Sequence, residues 1–347
     1  MNGYDELLPE ENNTEQVPFE TVMDHLFAGE NVPIHHLYRL SDMSADEMAH
    51  FKREWASADL ERRVTMVKHM SELAEDTYIV DFGPAFAFMF TDATPEIRQA
   101  ALEGVWDSTD TSLIAPIIVM LQTDESIAVR ASAARALAHY ILLTEWGQLD
   151  ERHTRAAVAA LLASLDEKDT ADEVRRAALE AVAAATHEPG ITKHIQDAYD
   201  NGSTDFQLSA LFAMGNSADS QWLPIVLEEL ANTDPDMRAE AARAAGSIGS
   251  KQAVQDLIDM SSDPEREVAE AAILALGQIG GDDAHQFLSQ LAEDEDYADL
   301  HDAVDEALEE MDWAMGEFDL LSLEGDYDLD EDTLDDVIFD DNDELMA

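Results

Sequence analysis

Residues able to do chemistry are few in this chain, and their spacing argues against catalysis. Five histidines lie near the N-terminus, at His25, His35, His36, His50 and His69. Clustered imidazoles can ligate a transition metal. Here, however, adjacent residues on a helix point apart and no acid stands at ligand spacing, so surface or half-buried histidines are expected. Asp326, Asp328 and Asp330 imitate the start of an EF-hand loop. Position six is Glu331 where glycine is needed and position twelve is Val337 where a bidentate Glu is needed, so the calcium geometry fails. His187-Glu188 is the one His-Glu dipeptide. The chain has no cysteine, which removes thiolate metal sites, iron-sulfur clusters, disulfides and cysteine nucleophiles together. No Walker loop, G-x-S-x-G or H-E-x-x-H is present, and GSIGS and GQIGG stand at helix ends in repeat phase rather than in dinucleotide loops. No catalytic residue, metal or cofactor is assigned.

The elements that would position any site are repeats. With Arg98 as phase zero, the equivalent residues are Arg130, Arg175, Gln207, Arg238, Ala269 and His301, spaced by 32, 45, 32, 31, 31 and 32 residues. One position earlier stand large apolar residues, Ile97, Val129, Val174, Phe206, Met237, Val268 and Leu300. Three later come Ala101, Ala133, Ala178, Ala210, Ala241, Ala272 and Val304, and seven later Val105, Leu137, Val182, Met214, Ala245, Leu276 and Leu308. Steps of four place these on one helix face. The residue six after phase zero is always small, from Gly104 and Ala136 to Ala275 and Ala307, which implies close approach between neighbouring helices.

Each unit reads as two helices joined by an acidic turn such as TDATPE, NTDPD or SSDPE, where Asp caps and Pro starts the second helix. Pro84, Pro116 and Pro224 sit 14 residues before phase zero and predict a bend in the first helix. Gly215, Gly246 and Gly277 are read as ends of second helices. Upstream, Ser44 with Glu47 forms a capping box and Asp59 caps a helix carrying Arg62 and Arg63, a degenerate first repeat.

The unit of about 31 residues, with its D-x-x-P-E-V-R-x-x-A turn and Ala-rich second helix, resembles the HEAT repeat in the short form called phycobilisome-lyase HEAT-like, over about residues 78–311. The resemblance implies an all-α fold, a right-handed α-solenoid of antiparallel helix pairs. It also implies a ladder of polar contacts between turn Asp and second-helix Arg, carried here by Asp92, Arg98, Asp124, Arg130, Asp169, Arg175 and Arg238. Asn201 precedes Gln207, so acid and base are lost together there. Asn232 before Arg238 and Asp263 before Ala269 put the C-terminal end of the ladder in doubt.

The expected layout is a disordered N-terminus over 1–17, without a signal peptide, a helical cap over 18–77, about seven repeats over 78–311 and an acidic disordered tail over 312–347. The 45-residue spacing marks an insertion of about 13 residues around Trp146, which lengthens a helix with Trp146 packed at its end or forms a protrusion. The tail mixes acids with large apolar residues and either solubilises the chain or docks on a partner. Where the repeat is broken, Trp146, Gln207, His301, Phe318, Leu334 and Phe339 are the candidate partner-binding residues.

Net charge is −58, from 77 acidic and 19 basic residues, and Arg266 is the last base, with 29 acids after it. Such acidity disfavours nucleic acid, and no apolar run is long enough to span a membrane. It also fits a salty cytoplasm. The expected function is a cytoplasmic protein-interaction scaffold that binds another protein, one with a basic patch, along the groove of the second helices. The alternative is an enzyme or enzyme accessory of the bilin-lyase or HEAT-like hydroxylase type. Deoxyhypusine hydroxylase builds its di-iron site from several His-Glu dipeptides, and the single His187-Glu188 falls short of that ligand set.

Overall fold

Local capping explains where the first helices begin. In the computed structural model, which describes residues 17–29, 31–76, 80–185, 188 and 190–325, helices α1 (Phe19–Ala28) and α2 (Ile34–Leu37) precede α3 (Ala45–Ser57). The Ser44 backbone N–H donates to Glu47 at 2.9 Å while the Ser44 hydroxyl accepts from the Glu47 N–H, completing the capping box. Asp59 accepts the Arg62 N–H at 2.8 Å ahead of α4 (Leu60–Asp76).

The chain divides into two units, Met1–Ser217 and Ala218–Ala347. The first continues with α5 (Gly83–Met89), α6 (Pro95–Glu103), α7 (Ile114–Thr123), α8 (Ile127–Glu145), α9 (Glu151–Asp166), α10 (Asp172–Val182), α11 (Ile191–Asn201) and α12 (Thr204–Asn216). The second contains α13 (Leu223–Glu229), α14 (Pro235–Ile248), α15 (Val254–Met260), α16 (Arg266–Ile279), α17 (Asp282–Leu291) and α18 (His301–Gly325). No strand occurs among the described residues.

In the first unit the second helices stack in series, α4 on α6, α6 on α8, α8 on α10 and α10 on α12, with α5, α7, α9 and α11 as their partners. In the second unit α14, α16 and α18 stack in the same way, backed by α13, α15 and α17. Each unit is thus an all-α solenoid stack whose core is the apolar face of its second helices. Ala101, Ala133, Ala178, Ala210, Ala241, Ala272 and Val304 are all fully buried. Phe206 departs from its column: it is half-buried where the equivalent residues are buried.

Small residues set how closely these helices meet. A Cβ on Gly246 would fall 2.9 Å from the Ala275 Cα, and one on Gly277 would fall 2.8 Å from the Ala307 Cα. Both glycines lie inside helices that run on to Ile248 and Ile279, which corrects the sequence reading, whereas Gly215 stands one residue before the end of α12. The actual stops in the second unit are Gly249 and Gly280, with φ of 71° and 66°. The prolines also differ from expectation. Pro84 and Pro224 occupy the first turns of α5 and α13, and Pro116 is the third residue of α7, where a missing N–H costs nothing. The bend is a 3₁₀ turn before the helix, Thr111–Leu113 ahead of α7 and Ser220–Trp222 ahead of α13.

The insertion lengthens α8 to 19 residues and α9 to 16. Trp146 caps α8 but is 65% exposed, not packed, because the chain turns away at Gly147 with φ of 72°. Helix α18 continues past Met311 to Gly325, so the backbone of 312–325 is helical where a disordered tail was expected. No glycine or proline interrupts the run until Gly316, and its Asp, Glu, Leu and Met residues tolerate a helix.

The N-terminal histidines converge instead of pointing apart. His25, from the last turn of α1, stacks on His36 of α2 at 4.9 Å with 10° between ring planes, and His35 meets His36 edge-on at 4.3 Å. Two separate helices supply the rings, which a one-helix argument does not foresee. The His36 Nδ1 is buried without a hydrogen-bond partner. Burial, then repulsion from His35 and His25, holds the His36 pKa below its ordinary 6.5.

Two outcomes follow from this packing. Gly277→Ala normally favours a helix interior by about 0.5–1 kcal/mol, but the 2.8 Å approach to Ala307 reverses the sign. A loss of about 1–3 kcal/mol in urea unfolding is expected, and a stabilised variant would refute the close approach. Neutral His36 stabilises the fold fully above pH 6.5, and that stability is lost as pH falls through its depressed pKa. The thermal midpoint should therefore fall between pH 7 and pH 5.5 more steeply in the native chain than in His36→Asn; parallel slopes would exclude the effect.

Candidate functional site

Three of the turns between first and second helix, those of Asp92, Asp124 and Asp263, do two jobs. Each Asp accepts an N–H two residues on: Asp92 from Thr94 at 2.9 Å, Asp124 from Ser126 at 2.9 Å, Asp263 from Glu265 at 3.0 Å. The same carboxylate receives the arginine of the preceding repeat. Arg98 grips Asp124 through Nε at 2.8 Å and Nη2 at 2.6 Å, and Arg238 grips Asp263 at 2.9 and 3.0 Å. Arg63 reaches Asp92 at 2.7 Å, joined by the Trp55 indole N–H at 2.9 Å. Burial would raise the Asp92 pKa, but the Trp55 and Thr94 donors and the Arg63 charge outweigh it and lower the value. Asp263 is lowered in the same way by Arg238 and the Glu265 N–H, against burial.

The rungs therefore join one repeat's Arg to the next repeat's Asp. That shift accounts for Asp263, which lacks a base in its own repeat but serves Arg238. It also accounts for the two arginines left out. The turn acid of the repeat after Arg130 is Asp169, exposed beyond the inserted residues and in no ion pair among the described residues, and Arg130 instead donates to the Leu121 carbonyl at 2.8 Å. The position after Arg175 is Asn201, whose amide bonds Asp197 at 2.9 Å. The Arg175 guanidinium lies 5.2 Å over the Phe206 ring with its Nε buried and unbonded, 3.5 Å from Asp172 through Nη1.

A second role of the phase-zero column is not visible in the sequence as an acid–base pattern. Its donors reach back to carbonyls at the end of their own first helix. Arg98 bonds the Asp92 carbonyl at 2.8 Å, Arg238 that of Asn232 at 2.9 Å, Gln207 that of Tyr199 at 3.1 Å and His301 that of Asp294 at 3.1 Å. These carbonyls would otherwise lack partners. Gln207 and His301 are thus occupied inside their repeats, and their type is explained by the N–H they share with Arg. In the Ala269 repeat, the Ser261 hydroxyl donates to the Ile258 carbonyl at 2.8 Å.

Among the grooves on the described surface, one of about 530 Å³ lies in the first unit. It crosses three successive second helices. Lys68, Ser71, Glu72 and Glu75 come from α4, Ala100, Leu102 and Glu103 from α6 with Trp106 just beyond, and Ser132, Arg135 and Ala136 from α8. Trp106, eight after phase zero, is 40% exposed. Lys68 is tied to Glu96 at 2.7 Å, and that partner raises its pKa. Of the other partner-binding candidates, Trp146 is exposed apart from this groove, Phe318 lies in α18 where only the backbone is described, and Leu334 and Phe339 lie outside the described residues, as do His187 and Asp326 to Asp330. Among the described residues no group of His, Asp or Glu has the geometry to hold a metal. No helix is long and apolar enough to cross a membrane.

Stacked helix pairs, a small-residue seam and an Arg–Asp ladder define an α-helical repeat protein. A profile of HEAT repeats matches residues 84–183, 192–263 and 223–309, more than half of the chain, and the chain belongs to that family. Among solved structures it is similar to an engineered protein (17% identity, 85% of this chain and 88% of that one, TM-score 0.38). It is also similar to YibA of Escherichia coli (16%, 81% and 98%, 0.42) and to human deoxyhypusine hydroxylase in complex with glycerol (16%, 73% and 91%, 0.33). No curated protein matches.

The ladder has a measurable weight. Arg98 and Asp124 expose only 9% and 8% of their side chains, so Arg98→Met, which strands a buried carboxylate, should cost about 3–5 kcal/mol. Arg175→Met should cost under about 1 kcal/mol, since its ion pair is long and half exposed. Equal losses in urea unfolding would contradict the pairing by next repeat.

Proposed function

We propose that the chain is a protein-interaction scaffold of the cytoplasm and that a partner with a basic surface seats on the second helices α4, α6 and α8. The observation that carries this reading is the groove itself, which spans three repeats and leaves an indole 40% exposed beside an alanine-lined floor. Exposed aromatics beside apolar pockets are the usual energetic centres of protein interfaces. Charge supports the basic partner, because −58 over 347 residues attracts cationic surfaces and accelerates their encounter. The absence of cysteine fits a reducing compartment.

Cross-linking of the tagged full chain in extract of its native cell tests the proposal. A stoichiometric partner cross-linked to α4, α6 or α8 is expected, with affinity falling about tenfold or more between 0.05 and 0.5 M NaCl. Recovery of no stoichiometric partner at either salt concentration overturns the scaffold reading, and salt-independent association overturns its electrostatic part.

A further inference from the structure

We infer that the groove over α4, α6 and α8 recognises a short peptide segment of a partner protein in which a large apolar side chain is flanked by Lys or Arg. This deepens the scaffold reading and rests on it.

Three features of the groove specify that segment. Its floor is apolar, made by Ala100, Leu102 and Ala136, and its volume of about 530 Å³ falls in the roughly 300–1,000 Å³ range of pockets that enclose ligand-sized groups. A bulky side chain placed there would pack against the exposed Trp106 indole and remove apolar surface from water. The rim is acidic. Glu75 makes no ion pair among the described residues, and Glu103 accepts the neutral Gln99 amide at 3.0 Å, so both carboxylates are available at the opening to a cationic side chain. The nearby Lys68 is already neutralised by Glu96. A basic residue next to the apolar anchor would meet this rim, whereas an acidic segment would be repelled.

The third feature is Ser132. The residue is only 4% exposed, yet it lines the groove, where its hydroxyl can donate or accept a hydrogen bond. A peptide backbone N–H or C=O entering the groove would bond to it, which a bare hydrocarbon surface would not.

The test uses the full chain and a 12-residue peptide that alternates Lys with Leu and carries one photoreactive Phe, together with a Lys-to-Glu version and a Phe-to-Ser version. Binding is measured by fluorescence anisotropy in 0.3 M NaCl, where diffuse attraction is weakened. The basic apolar peptide should bind, and both altered peptides should bind at least about tenfold more weakly. Trp106→Ala, and separately Glu75→Gln with Glu103→Gln, should each weaken binding about tenfold, while Asp256→Asn with Asp305→Asn, which removes two charges elsewhere, should leave it unchanged. Photo-cross-links should fall on α6 and the turn after it. Equal losses in the groove and control variants, undiminished binding by Trp106→Ala, or cross-links only outside the groove overturn the inference. A native partner that Trp106→Ala still captures would overturn the groove assignment while leaving the scaffold reading standing; a chain that captures no partner overturns the scaffold reading itself.

Discussion

Consecutive second helices can stack only where a methyl group or less stands between them. With Gly277 within 3 Å of Ala307 in the sense that matters for a substituent, no branched side chain fits at the contact. This short distance has two consequences. Dispersion between close backbones supplies cohesion without large side chains, which is why an Ala-rich face forms a core. It also brings each interhelix turn within reach of the arginine one repeat earlier, so the polar ladder depends on the apolar seam.

The ladder in turn organises the turns. One carboxylate, that of Asp124 or Asp263, holds its own turn through a backbone N–H and the preceding repeat through a bidentate guanidinium. A lysine at position 98 or 238 could not serve both atoms, because the fork geometry belongs to arginine. The arginine's remaining N–H completes the end of the first helix. Loss of the acid alone leaves the base to find another surface, as Arg175 does on Phe206. Half-burial of Phe206, unlike its column, is the counterpart of that substitution.

Much of this was legible in spacing. The small column, the apolar columns and the capping residues Ser44 and Asp59 each follow from local rules that the tertiary structure does not override. The readings that differ share one cause: a residue's role depended on its neighbour repeat. Gly246 and Gly277 resemble stops until the facing Ala275 and Ala307 are placed opposite them. Asp263 resembles an orphan until Arg238 is placed before it. Prolines 116 and 224 follow a 3₁₀ turn at the start of α7 and α13, a boundary that periodicity of 3.6 does not resolve, while Pro84 opens α5 directly. The candidate groove was legible least, because it is made of positions with no repeating identity, and only the register of α4, α6 and α8 brings Glu75, Trp106 and Ser132 together.

The distribution of charge joins fold to function. Among the described residues many Lys and Arg side chains lie in intrachain ion pairs, several of them across repeats, such as Arg63 to Asp92, Arg98 to Asp124, Arg176 to Asp205, Arg238 to Asp263 and Arg243 to Glu267. Several of the few cations thus serve to align repeats, while the 77 acids far outnumber the 19 bases that could pair them. Self-repulsion of the excess destabilises the compact state, so a partner or solution that supplies positive charge relieves a strain already present in the free chain. That coupling would favour cationic ligands over neutral ones, and the groove beside Trp106, where an apolar floor adjoins the carboxylates of Glu75 and Glu103, is the site proposed for one.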